Sequence, residues 1–401
     1  MSTPDRGGGF AGRGVLPDFV AGLPAVPDEL VEALRLPLVD HHVHGCCAGP
    51  VTRGQFEEAI NEGSTDPVPA FMTQFDSQLG VAIRRWCAPL LGLAPHVAAD
   101  DYWARRTELG DEAVARALLP AAGVTRWLVD TGPAADRLTS PATLARWSGC
   151  ESSEILRLES LAESLLTGGV APQRYAEEFR ARLADPGAGV VGVKTIAAYR
   201  CGFDVDWSVP ADTEVATEVA AWSSRAPGGR PRLTSPLLAA FGIHAAAQAG
   251  LPIQVHVGLG DRDLDLHRVD PLLLLPLLRQ PGIRRVPVIL LHCYPFHRQA
   301  GYLAQAFGNV HFDVGLGLNY LGVRSVELLA ESLELAPFAK QLYSSDAFGP
   351  PELHLLGSVL WRRGMARVLG RWQREGDWSP ADAVRTVRMI GAGNAERVYG
   401  L

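Results

Sequence analysis

Eight short apolar runs, separated by helical stretches, constrain the fold of this chain more than any other feature. They cover residues 36–44, 125–131, 154–159, 190–196, 252–257, 287–292, 310–314 and 341–346. Near-continuous apolar runs suit a parallel sheet that is covered on both faces. Runs that alternate with helical segments suit βαβ units, and eight such units fit one (β/α)8 barrel. A length of 401 residues is ordinary for one such barrel with insertions. The domain reading is an N-terminal arm over 1–35 and a barrel over 36–401. The first 14 residues (MSTPDRGGGFAGRG) lack an apolar core, so they read as a flexible arm and not as a secretory signal.

About 80 residues separate the first run from the second, too many for a structureless loop in a compact domain. The expectation is a helical insertion over about 52–120 that roofs the active-site face, anchored by stretches such as 111–119 (DEAVARALL). A second helical segment is expected over 158–183. Ser379 followed by Pro380 marks the start of another helix.

Charge and cysteine content narrow the function classes. The formal net charge is −7, and no basic run with interleaved aromatics offsets it, which argues against nucleic acid. No apolar stretch reaches the roughly 20 residues of a membrane helix; Pro276 breaks the nearest, 272–278. Six cysteines without a CxxC pair read as buried or free thiols of a cytoplasmic protein. The expected partner is a small-molecule substrate, and a homo-oligomer is compatible with the sequence.

The chemistry-bearing residues gather at run ends, where barrel enzymes place catalytic groups. His42 and His44 close the first run, two positions apart and therefore on one side of a strand. Alone, the pair could be a chance cluster, and the adjacent His41 shows how easily histidines group. Asp40 lies on the same face and could orient a ligand from behind. His256 closes the fifth run, His292 the sixth and Asp346 the last. Singly, each could be a satisfied core residue, or a helix cap for Asp346. Together, four histidines and a carboxylate in this order suit Zn2+ or another divalent ion. Asp346 could act as general base toward an activated water, and His292 could polarise a carbonyl, bind metal, or both.

Lys194, near the end of the fourth run, is one of only two lysines, the other being Lys340. A neutral lysine amine can take up CO2 as a carbamate and bridge two ions; the other reading is a charge-balancing lysine. Arg200 reads as a surface arginine or as a clamp for a substrate carboxylate. Asp261, Asp263, Asp265 and His267 read as a solvated loop or as a pocket mouth. Tyr294 and His297 are similarly placed, with Tyr294 a candidate substrate contact.

The pattern DHHVH, then Lys194, His256, His292 and Asp346, resembles the amidohydrolase superfamily. It is similar in particular to the branch that includes the domain fused to glutamine synthetase in plant nodulin-like and fungal proteins. The segments 193–205, 256–266, 292–304, 309–320, 342–352 and 393–401 carry this resemblance. It implies an α/β fold, a distorted (β/α)8 TIM barrel, with one or two divalent ions per chain. By position, His42, His44, His256 and Asp346 match ligands, His292 a second-metal or substrate position, and Lys194 the residue carbamylated in binuclear members. The expected activity is hydrolysis of an amide or related C–N bond, a γ-glutamyl-type amide by branch. Non-oxidative decarboxylation of an aromatic or unsaturated acid is the alternative, because related branches use a similar ligand set. A non-catalytic protein that kept the fold is the third reading.

Overall fold

The computed structural model describes residues 14–64, 66–132, 137–225 and 231–401; residues 1–13 of the expected flexible arm lie outside them. Seven strands form one all-parallel sheet in sequence order: β1 Leu38–Val43, β2 Val124–Asp130, β3 Glu151–Arg157, β4 Val190–Thr195, β5 Ile253–Val257, β6 Val288–His292 and β7 Val310–Phe312. Each neighbours the next because a helical connection returns the chain to the same end of the sheet. β1, β5 and β6 are buried throughout, as apolar runs covered on both faces must be. Each fully buried Val, Leu or Ile on these strands contributes about 1.5–3 kcal/mol.

The eighth run differs from expectation. Residues 341–346 form one isolated bridge, Gln341 to Phe312, and no regular strand. They still connect the two edges of the sheet. Leu342 N–H donates to Phe312 O at 3.0 Å, while His41 N–H donates to Tyr343 O and Asp346 N–H to His42 O at 3.2 and 3.1 Å. The ladder fails because a side chain takes one of its donors: Ser345 N–H donates to the Asp40 carboxylate at 3.1 and 3.2 Å. Asp346 then turns into the left-handed region at φ 47°.

Between β1 and β2 the chain forms helices Arg53–Ala59, Gln78–Trp86, Ala99–Leu109 and Asp111–Leu118. The first opens with a capping box in which Thr52 and Gln55 bond reciprocally. The helical stretch expected at 158–183 is two helices, Leu158–Thr167 and Pro172–Ala184, split by the turn at Gly168 and Gly169. Ser379 caps Pro380–Arg388, its hydroxyl accepting from Asp382 N–H at 3.1 Å.

Part of the expected arm is packed. Helix Asp28–Arg35 buries Leu30, Ala33 and Leu34. The buried Arg362 guanidinium ties it to the body: it donates to the carbonyls of Leu34 and Leu36, and to those of Ala122 and Gly123 just before β2. No helix among the described residues is long and apolar enough to cross a membrane.

Candidate metal centre

The carboxyl ends of β1, β2, β4, β5 and β6 converge on one buried point, and segment 341–346 completes the ring. His42 and His44, two apart on β1, present their rings 5.3 Å apart. Opposite them stand His256 and His292, with rings 4.5 Å apart, and the His42 and His292 rings are 5.5 Å apart. Asp346 lies between: Oδ1 is 3.1 Å from His42 Nε2 and 3.7 Å from His44 Nε2, and Oδ2 is 3.3 Å from His292 Nδ1.

The ring tautomers follow from the partners. Gln254 donates from Nε2 to His41 O and to Tyr399 Oη, both at 2.8 Å. Because a carbonyl can only accept, the other end of the amide, Oε1, must face His42 Nδ1 at 2.7 Å and receive its N–H. His42 Nε2 therefore carries the lone pair. His44 donates from Nδ1 to Asp130 O at 2.9 Å, which leaves its Nε2 lone pair free as well. His256 has a backbone hydrogen bond at Leu259. Burial drives the pKa of His42, His256 and His292 well below normal and that of His44 to about 3, so all four rings are neutral. Neutral imidazoles whose other ring N–H is held by an acceptor are what metal ligation needs.

The fit to a cation rests on orphaned atoms. His256 Nε2, both His292 ring nitrogens and Asp346 Oδ1 are buried without a hydrogen-bond partner. Asp346 Oδ1 lies 3.1 and 3.7 Å from His42 and His44 Nε2, and His292 Nδ1 lies 3.3 Å from Asp346 Oδ2, with no hydrogen bond formed in any of the three. Among the described residues, two sets of three could each hold an ion: His42, His292 and Asp346, and His42, His44 and Asp130. Burial raises Asp346 to about 6, with Lys194 and His44 opposing the rise. The left-handed backbone at His292 (φ 69°) and Asp346 (φ 47°) aims both side chains inward. Such non-glycine conformers cost about 1–3 kcal/mol each and gather at functional sites.

Lys194 on β4 places Nζ 2.9 Å from His42 Nε2 and 3.5 Å from Asp130 Oδ2. Burial lowers its pKa, with Asp130 acting to raise it. Asp130, which the run pattern did not single out, closes β2 and accepts from Arg157 Nη2 at 2.5 Å and Nε at 3.2 Å. Burial works to raise its pKa, but Arg157 and Lys194 outweigh it and hold Asp130 well below the carboxylate range.

Other placements are mixed. Asp40 does not touch an imidazole: it accepts from the backbone of Ser345 and His42, and burial lifts it to about 8. The orienting partner of His42 is Gln254 instead. His41 faces away and bonds Asp313 and Tyr399 at 3.0 and 3.1 Å. Arg200 faces Glu163 at 3.4 Å, with Nε and Nη1 buried and unpartnered, and no contact joins it to the histidines. Tyr294 stacks parallel on His297, whose Nε2 is held by Glu331 at 2.6 Å. Asp263, Asp265 and His267 are solvent-exposed. Two further groups border the centre: the Tyr199 ring, 4.6 Å from that of His256, and Glu62, whose carboxyl burial pushes up to about 8, with Asp346 and Asp261 adding to the rise. Gly260 packs against Tyr199 and His256, where a Cβ would overlap the Tyr199 hydroxyl and lie 3.2 Å from His256 Nε2.

Comparison with known proteins gives this centre a context. Protein fluG of Emericella nidulans is 31% identical over 287 residues, 64% of this chain and 33% of fluG, so the chain spans about a third of that curated relative. A Lactobacillus casei crystal structure described as a metal-dependent hydrolase superposes with a TM-score of 0.81 at 27% identity, covering 94% of this chain and 98% of that one. A uronate isomerase from Bacillus halodurans shares the fold, with a TM-score of 0.60 at 14% identity over 93% of this chain and 96% of its own. The sequence model of the amidohydrolase family matches residues 163–401, more than half of the chain, and the chain belongs to that family.

Proposed function

We propose that the chain is a metal-dependent hydrolase that cleaves an amide or related C–N bond of a small molecule, with a γ-glutamyl-type amide as the substrate class, on a distorted (β/α)8 barrel closed by segment 341–346. The observation that supports this most is a buried cluster of neutral histidines around Asp346, in which His256 Nε2, both His292 ring nitrogens and Asp346 Oδ1 have no hydrogen-bond partner. His42, His44, His256 and Asp346 are the proposed ligands, and His292 joins them if two ions bind. Zn2+ suits the nitrogen-rich set. When bound, a divalent ion supplies Lewis acidity toward water and a carbonyl.

The chain's own groups do the rest. Asp346 takes the proton of the attacking water and returns it to the leaving nitrogen, a role that suits a carboxyl lifted to about 6. His292 holds the carbonyl oxygen of the substrate. The unpartnered edge of the Arg200 guanidinium receives a substrate carboxylate, and Tyr294 lines the approach. Lys194 sets the metal count. As an ammonium it lies beside His42 and Asp130, in the place of a second cation; carbamylated, it would add a carboxylate-like ligand and favour two ions.

The test is a panel of γ-glutamyl amides with purified protein before and after chelation, following released amine and released CO2 together. Amine release that is lost on chelation and restored by Zn2+ is expected. Full activity of the metal-stripped protein, or CO2 without amine, refutes the reading, the latter in favour of decarboxylation.

A further inference from the structure

Away from the centre, helices Gln78–Trp86 and Pro351–Glu375 frame a cavity of about 330 Å3. Arg85, Arg363 and Arg367 line it together with Trp86, His96 and Val323, and none of the residues lining it is a carboxylate. Arg85 and Arg363 converge on one indole, their guanidinium carbons 4.8 and 5.4 Å from the Trp86 ring centre. Arg363 spends one nitrogen on the carbonyls of Phe19 and Ala21, at 2.8 and 3.0 Å. Arg85 and Arg367 have no carboxylate or carbonyl partner among the described residues.

This arrangement is unfavourable unless something offsets it. Arg363 and Arg367 stand four apart on one helix face, where like charges repel. Burial lowers the pKa of Arg363, Arg367 and Arg85 lower it further, and Asp18 opposes them. The chain as a whole is acidic, with a formal net charge of −7, so the cavity is a local reversal of sign.

We propose that this cavity binds a small organic phosphate. Planar guanidinium forks match phosphate oxygens in pairs, and a phosphate monoester carries close to two negative charges at neutral pH. Val323, 57% exposed at the rim, offers apolar contact to the organic body. The volume lies at the small end of ligand pockets, about 300–1,000 Å3.

Phenyl phosphate is the probe, titrated calorimetrically into the full chain, with phenol as the uncharged control. Saturable binding is expected for the phosphate and none for phenol. Arg85→Gln with Arg367→Gln should weaken it by about tenfold or more, while Arg85→Lys with Arg367→Lys should recover part of the loss. His256→Ala should leave it unchanged. Circular dichroism and melting of each variant show that the fold is kept. Absence of saturable binding to about 10 mM overturns the proposal, as does equal binding by the glutamine variant. Loss of binding in His256→Ala also overturns it, because the phosphate would then sit at the metal centre.

Discussion

Replacing Gln254 with leucine should cost metal affinity and stability in amounts that the structure sets. The amide makes three hydrogen bonds: from His42 Nδ1, and to His41 O and Tyr399 Oη. Leucine has a similar volume and makes none of them. Tyr399 Oη keeps its contact with His41, but His41 O and His42 Nδ1 lose their side-chain partner in a fully buried place. At about 1–3 kcal/mol for each orphaned group, the fold loses roughly 2–6 kcal/mol. His42 also loses the contact that fixes its tautomer, and loss of such an orienting acceptor lowers metal affinity by about 10–100-fold. Gln254→Glu separates the two effects. Its carboxylate still accepts from His42, so affinity should be largely kept, while the donors to His41 O and Tyr399 are gone and stability falls. The assay is competition for Zn2+ against a chelator, with urea unfolding of the same samples. If Gln254→Leu binds Zn2+ within about twofold of the parent, His42 is not a ligand oriented by this amide.

Three further outcomes are expected. Gly260→Ala should reduce kcat/KM by about tenfold or more, because the new methyl displaces Tyr199 beside His256; unchanged kinetics would place that wall outside the site. Arg362→Met should lower the free energy of unfolding in urea by about 2–5 kcal/mol, because the carbonyls of Leu34 and Leu36 lose this side-chain donor and Gly123 O keeps only Leu38 N–H. His311 concerns pH. Burial lowers its pKa from 6.5 to about 3, so the unfolded chain binds the proton first, and stability is present above about pH 6.5 and lost as pH falls toward 3. At about 1.4 kcal/mol for each unit, this amounts to roughly 5 kcal/mol, and His311→Leu should flatten the decline measured between pH 6.5 and 4.5.

Much of the fold was legible because apolar runs report strands buried on both faces. Seven runs fall on the seven strands to within a few residues at either end. The eighth was not legible as an irregular segment, because nothing in QLYSSD signals that Asp40, some 300 residues earlier, captures the Ser345 N–H. Run ends drew attention to His42, His44, His256, His292 and Asp346, which the fold brings together around one point. Asp130 lies one residue before the end of the second run and was not singled out there, because a lone acid inside an apolar run carries no metal pattern of its own. Gln254 was hidden for a different reason: a mid-strand amide reads as an ordinary strand residue until its three partners are known. Arg200, six residues from Lys194, faces Glu163 on another helix and makes no contact with the histidines.

The bond between Tyr399 and Gln254 also bears on the order of events during synthesis. Residue 42 emerges from the ribosome early, yet its ring is set by residue 254, and that amide is held in turn by residue 399. Segment 341–346 adds its carboxylate equally late. A nascent chain short of these residues carries histidines without a fixed geometry and has little means to discriminate among available ions. On the proposed function, choice of metal thus belongs to the folded chain, and cleavage near residue 390 should weaken metal binding before the barrel unfolds.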